Sequence, residues 1–244
     1  WSHVVSLLYA QLTHSIGLND VCDALRHHSA KLFAIRGATP PSRNGLSNAN
    51  KTRDADMMEA LFWKMLTHLQ HQFPQFGPAG SYSKLPRRFK KAIYSVDSST
   101  ITLVANCMDW AKHRRRKAAA KLHLRLNLQT FLPSFAVIEE GSHHDSSRMM
   151  ALCAGLQAGE IAVFDKAYVH FKHLFSLTEM GVFWVTRAKD NMCYHVCKKR
   201  KVSGNIVRDD EITLKTKSSK GHYPQRMRRV VARVEVNGKF VEMV

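Results

Sequence analysis

The chain has 244 residues, 45% of them hydrophobic, enough to bury one large core or two small ones, which excludes a disordered tail. Lys and Arg number 37 against 19 Asp and Glu, a formal net charge of +18 that exceeds what solubility requires and points to a polyanionic partner. No apolar run approaches the roughly 18–20 residues of a spanning helix and no signal peptide opens the chain, so nucleic acid is favoured over membrane; five scattered cysteines fit a reducing cytoplasm rather than a disulfide framework.

The charge is uneven: residues 1–80 carry 7 basic and 5 acidic side chains, residues 81–244 carry 30 and 14. The first stretch has helical spacing. Val4, Leu7, Leu8, Leu12 and Ile16 recur on one face, and Asn19 is placed as an N-cap before Val21, Cys22 and Leu25, so two short helices are predicted over 1–36. Thr39-Pro40-Pro41-Ser42 breaks that pattern; Ser42 can then cap a helix through Leu46 and Ala49, and Asp54 or Asp56 opens another through Met58, Leu61, Phe62, Met65 and Leu69. Arg43, Asn44, Asn48, Asn50, Lys51 and Arg53 take the polar positions, either as a groove-reading surface or as a solvated face. A helical module over 1–78 is expected, followed by a Pro- and Gly-bearing linker with a boundary near 78–92.

Beyond it the texture becomes extended. Ala92–Val96 with Ile101–Val104, then the alternating Leu122–Leu126, then Phe135–Ile138 predict three successive antiparallel strands. Ser146–Leu156 reads as a helix, Ile161–Phe164 as a buried strand, Val169–Met180 as a helix stopped by Gly181, and Val182–Val185 as another buried strand. Three antiparallel strands followed by helix-crossover parallel strands is an α/β arrangement shared by the RNase H-like fold and by other mixed sheets. A core over 79–190 is therefore expected, with a β-rich stretch over 191–244 in which Glu211–Leu214 and Arg229–Val236 are strand-like.

Two acids interrupt otherwise apolar or small strands, Asp97 after Tyr94-Ser95-Val96 and Asp165 after Ile161–Phe164. An unpartnered carboxylate in a sheet interior costs several kcal/mol, so such acids either hold a cation or make local hydrogen bonds. Hard divalent ions take carboxylate oxygens, and two of them about 3.5–4 Å apart serve phosphodiester cleavage with a set of three acids. The other reading is that Asp97 caps a turn with Ser98 and Ser99 and Asp165 caps the following helix. Lys112, His113, Arg114, Arg115, Arg116 and Lys117 form the densest basic run, on a predicted loop, extended by Lys121, His123 and Arg125; it can clamp phosphates or simply be solvated. Arg187 and Lys189 lie just beyond the last core strand. Cys193, His195 and Cys197 would share one face of a strand, but without a fourth ligand at zinc spacing they read as half-buried strand residues, and His143-His144-Asp145 reads as a turn before a helix.

Tyr94-Ser95-Val96-Asp97-Ser98-Ser99-Thr100, Phe164-Asp165-Lys166-Ala167-Tyr168 and Phe183–Lys189 occur in an order that resembles the bacterial insertion-sequence DDE transposases of the IS-four family. Trp1-Ser2-His3, Gln11-Leu12-Thr13, Thr39–Arg43 and Leu46–Asn50 extend the likeness over most of residues 1–190. The resemblance implies an RNase H-like catalytic domain with Asp97 and Asp165 as catalytic metal ligands for two Mg2+ or Mn2+ ions. It further implies cut-and-paste DNA transposition, with hydrolysis at element ends and strand transfer into target DNA. Double-stranded DNA, as terminal repeats and target, would be the partner. Lys112, Arg114, Arg115, Arg116, Lys117, Lys121, Arg187 and Lys189 are the candidate DNA contacts, a homodimer would form the synaptic complex, and the protein would be cytoplasmic and nucleoid-associated. The family's third acid is a glutamate on a later helix, within a Tyr, Arg, Glu, Lys pattern. Glu211, Glu235 and Glu242 lack that context, so no third acid is assigned; the chain reads as truncated at both ends and inactive by itself. A non-catalytic DNA-binding remnant and another RNase H-like nuclease, such as a junction resolvase, are the alternatives.

Overall fold

A computed structural model describes residues 1–15, 17–73, 89, 91–103, 112–113, 117–140 and 145–244. Contacts divide the chain into residues 1–76 and 77–244. The first unit is helical: α1 (Ser2–Thr13), α2 (Leu18–His27), α3 (Ser29–Ala34), α4 (Arg43–Thr52) and α5 (Asp56–Gln72). Val21, Cys22 and Leu25 of α2 bury themselves with Leu32, Ala38 and Leu46, and Val5 and Tyr9 of α1 pack against that cluster. His3 Nε2 meets Asn50 Oδ1 at 2.7 Å, tying α1 to α4.

The start of α2 differs from its expected place. Gly17, not Asn19, is the N-cap, because Asp20 reaches back to accept the Gly17 N–H at 3.1 Å and so opens the helix two residues earlier. At α4 the hydroxyl of Ser42 accepts the Gly45 N–H at 3.1 Å, as its place after two prolines suggested. Ser42→Ala is expected to cost about 1 kcal/mol, seen as a lower melting point of the helical signal. An unchanged melting curve would mean that α4 does not depend on this cap.

The second unit begins with β1 (Ile93–Leu103), one eleven-residue strand where the sequence suggested two extended pieces. Then come β2 (Lys112–His113), β3 (Lys117–Asn127), β4 (Pro133–Glu140), α6 (Asp145–Leu152), β5 (Ile161–Phe164), one 3-10 turn (Lys166–Tyr168), α7 (Phe171–Glu179) and β6 (Phe183–Thr186). Gly181, at φ +73°, ends the α7 segment in the left-handed region, where a side chain would be strained. β3 runs antiparallel to β1 on one side and to β2 and β4 on the other; β5 lies parallel to β1, and β6 parallel to β5. The result is a mixed sheet in which β1, made first, sits centrally between the antiparallel and parallel halves.

One face of that sheet, bearing Val96, Ala162 and Phe164, is covered by Met149 and Leu152 of α6 and by Leu174 and Leu177 of α7. On the opposite face Ile138 and Phe183 stay 64% and 65% exposed. The chain then builds an antiparallel sheet of β7 (Tyr194–Lys199), β8 (Ile206–Leu214), β9 (Met227–Val236) and β10 (Lys239–Met243), in the order β10-β9-β8-β7. A short helix α8 (Lys217–His222), capped by Thr216, interrupts it between β8 and β9, where no helix was expected. Ile212, Leu214, Met227 and Tyr223 join the same core as α7, and Tyr223 Oη and Trp184 Nε1 both meet Thr178 Oγ1 at 3.0 Å. Burial of these side chains joins the two sheets through one helix.

Candidate active site

The parallel pairing of β1 and β5 decides where the two strand acids go. Val96 is level with Phe164 in the register, so Asp97 and Asp165 are each the next residue along adjacent strands, with backbones spaced at roughly 4.8 Å. Two acidic residues 68 positions apart in sequence are thereby brought to neighbouring backbone positions, where β5 ends beside the middle of β1.

Both acids make the local hydrogen bonds that the capping reading foresaw. Asp97 Oδ1 accepts the Ser98 N–H at 2.8 Å, and Asp165 Oδ1 accepts the Lys166 N–H at 2.6 Å as the cap of the 3-10 turn. Among the described residues the bonds on each carboxylate fall on Oδ1, leaving Oδ2 of each available to a ligand. A cap of this kind engages one carboxylate oxygen and does not by itself use the second.

Arg187, just past β6, brings Nε and Nη2 to Asp165 Oδ1 at 3.1 and 2.6 Å. These hydrogen bonds, helped by the Lys166 N–H and the charges of Arg187 and Lys166 and opposed by partial burial, hold the Asp165 carboxyl below its ordinary 3.8. A depressed carboxyl pKa contributes stability above the unfolded value, and that contribution fades as pH falls through the folded value, here in the range below about pH 4. With the side chains of Arg187 and Asp165 57% and 40% exposed, the pair adds little to folding. In Arg187→Ala the Asp165 carboxyl is expected to titrate at higher pH by carbon-13 NMR; identical titration in both proteins would contradict this pairing.

A family model described as "Transposase DDE domain" matches residues 88–235, from just before β1 into β9 and across both acids. The chain belongs to this DDE transposase family. It is 29% identical over 161 residues to the Geobacillus stearothermophilus protein named "Probable transposase for insertion sequence element IS5377", covering 64% of this chain and 41% of that protein. It is 24% identical over 160 residues to a candidate transposase, y4zB, of Sinorhizobium fredii, covering 64% of this chain and 44% of that protein. The matched stretch thus spans less than half the length of either curated relative.

Within this DDE domain the expected contacts to DNA separate by position. Arg114, Arg115 and Arg116 lie outside the described residues, as do His143 and His144. Lys112 and Lys117 are strand residues, paired through β2 and β3, rather than parts of a continuous loop. Lys121 is half-buried on β3, opposite Thr100 of β1 and Glu139 of β4. Lys189 Nζ donates to the Val169 carbonyl at 2.9 Å, and Arg187 is held by Asp165.

His123 and Arg125 do not extend the basic surface; both are buried. Arg125 Nη1 donates to the carbonyls of Leu152 and Ala154 at 2.9 and 2.7 Å, satisfying the C-terminal end of α6, and its Nε donates to Ser134 Oγ. Nor are Cys193, His195 and Cys197 half-buried: all three are exposed, His195 and Cys197 on β7 at the edge of its sheet and Cys193 immediately before it, and among the described residues no three His, Cys, Asp or Glu side chains gather as a metal group. One contact near Asp165 was not foreseen, the Lys166 Nζ bond to Asp190 Oδ2 at 3.1 Å, since nothing in the sequence pairs residues 24 apart across a turn. Beside Arg187 a cavity of about 340 Å³ opens, lined by Val169, Leu174, Trp184, Met192, Ile212 and Met227.

Proposed function

We propose that the chain acts in a cut-and-paste DNA transposase of the IS-four type, built on an RNase H-like sheet, which hydrolyses phosphodiester bonds at element ends and joins the freed 3′-hydroxyl to target DNA. The observation that carries this reading is the register that makes Asp97 and Asp165 neighbours on β1 and beyond β5. Their donor set suits Mg2+ or Mn2+: hard carboxylate oxygens, solvent-accessible, with one oxygen of each clear of bonds to described residues. Bound there, two divalent ions would activate the attacking oxygen and stabilise the leaving one. Asp97 and Asp165 would hold them; Arg187, now on Asp165 Oδ1, is placed to exchange that contact for a phosphate oxygen.

The third acid of the set is not assigned. Among the described residues no third acid joins these two, and Glu211 is engaged by Arg200 and Arg226 in the second sheet. Lys112, Arg114, Arg115, Arg116, Lys117, Lys121 and Lys189 would follow the DNA backbone, whose neutralisation accounts for the charge of residues 81–244. The helical unit of residues 1–78 would read terminal repeats. Arg43, Asn44, Asn48 and Lys51 of α4 are exposed there, whereas Asn50 is engaged by His3. Synapsis of two ends calls for a homodimer. Among the described residues no helix is long and apolar enough to cross a membrane.

The test is cleavage by the complete gene product, in Mg2+, of linear DNA carrying the element's terminal repeat and of a four-way junction lacking it. Cutting confined to the repeat end supports a transposase, cutting of the junction supports a resolvase, and binding without cutting of either supports a non-catalytic DNA-binding remnant.

A further inference from the structure

On the covered face of the sheet, within the strand and turn that adjoin the two acids, the core contains a polar chain that packing alone does not call for. His123 of β3 is 0% exposed, with Nδ1 3.0 Å from Tyr168 Oη and Nε2 3.0 Å from Glu139 Oε1 of β4. Arg148 of α6 donates through Nε to the other Glu139 oxygen. The ionised Glu139 can only accept, so His123 Nε2 carries a proton, and in the neutral ring Nδ1 then accepts from the Tyr168 hydroxyl. Burying such groups is no more stabilising than burying apolar residues of the same size, so their gain is one of geometry rather than of stability.

That geometry closes on the site. Tyr168 ends the turn that Asp165 caps, and its own N–H donates to the Asp165 carbonyl at 3.0 Å. His123 is the register partner of Ser98, the residue after Asp97. From Asp97 the path runs through Ser98 across the β1–β3 ladder to His123, through one side-chain hydrogen bond to Tyr168, and back along the turn to Asp165. We propose that His123 and Tyr168, braced by Glu139 and Arg148, are positioning residues that fix the separation of Asp97 and Asp165 for the divalent ion. This rests on the metal reading given above. Groups that orient ligands in this way commonly change metal affinity by about 10–100-fold when removed.

Tyr168→Phe deletes only the hydroxyl and keeps the ring that packs edge-on to Phe164. His123→Gln keeps a donor for Glu139 but moves its acceptor, the amide oxygen, away from the Nδ1 position that meets Tyr168. The experiment measures free Mn2+ by electron paramagnetic resonance over the complete gene product, unchanged and as Asp97→Ala, Tyr168→Phe, His123→Gln and the double variant, each below its melting temperature. The expected result is loss of the bound ion in Asp97→Ala, a dissociation constant raised about tenfold in each single variant, and a double variant no more than about twofold weaker than either, since both remove one shared bond. Mn2+ affinity within twofold of the unchanged protein in both single variants, with binding still lost in Asp97→Ala, would overturn the positioning role alone. Binding that survives Asp97→Ala would overturn the metal reading beneath it. A purely structural role would lower the melting temperature without moving the affinity of the folded protein.

Discussion

Asp97→Ala in the complete gene product is expected to lower metal-dependent cleavage of a repeat-bearing DNA end at least about a thousandfold, while the melting temperature changes by no more than a degree or two. The size follows from the role: a carboxylate that anchors a divalent ion supports several kcal/mol of charge stabilisation in the transition state, and about 4 kcal/mol corresponds to three orders of magnitude in rate. The small stability change follows from the site, because Asp97 is exposed and, among the described residues, its hydrogen bond goes to the neighbouring Ser98 N–H. Single-turnover cleavage with a melting curve on the same preparations checks both. Cleavage within tenfold of the unchanged protein would remove Asp97 from the metal site, and lost activity accompanied by a large fall in melting temperature would move it to a structural role.

Leu177→Ala is expected to be the most destabilising of the substitutions considered. Leu177 is 0% exposed in the core that joins Val96, Ala162 and Phe164 of the mixed sheet to Ile212, Leu214 and Met227 of the antiparallel one. Truncating a buried leucine costs about 2–5 kcal/mol through lost transfer energy and the cavity left behind. In a unit of this size that lowers the melting temperature by roughly 10 °C. Because α7 serves both sheets, amide exchange should accelerate in β5 and β8 together. Faster exchange in one sheet with the other unchanged would show two separate cores.

Much of this was legible from local signals, and the reasons are specific. Ile161–Phe164, Gly181 and Ser42 were placed correctly because a buried strand, a left-handed stop and an N-cap depend on neighbours in sequence. Three antiparallel strands followed by two parallel ones could likewise be read from the change of period. Asp97 and Asp165 stood out because acids are rare in apolar strands, yet their adjacency depends on β5 entering beside β1, across a connection that carries β2, β3, β4 and α6. No local pattern specifies that register.

The alternating Leu122-His123-Leu124-Arg125-Leu126 was the most misleading passage. Ordinary amphipathic logic turns the leucines inward, whereas here His123 and Arg125 face the covered side of the sheet and the leucines are half-buried on the other. The reversal is sustained by partners far along the chain: the α6 carbonyls for Arg125, Glu139 and Tyr168 for His123. Helix α8 was missed for a different reason. Lys217–His222 has no buried residue and therefore no apolar period to detect, and its one signal is the Thr216 cap. The second oxygen of each acid and the Arg187 contact are side-chain geometry, which only the assembled sheet defines.

The most direct test of Asp165 as a metal ligand changes the ligand and then the metal. Cleavage by Asp165→Cys in the complete gene product is to be measured in Mg2+ and in Mn2+, because a thiolate is a poor ligand for the harder ion and a better one for the softer. The expected result is a loss of about a hundredfold or more in Mg2+ with substantial recovery in Mn2+ and no recovery in Asp165→Ala. Equal impairment in both metals, or full activity in Mg2+, would contradict direct ligation by Asp165.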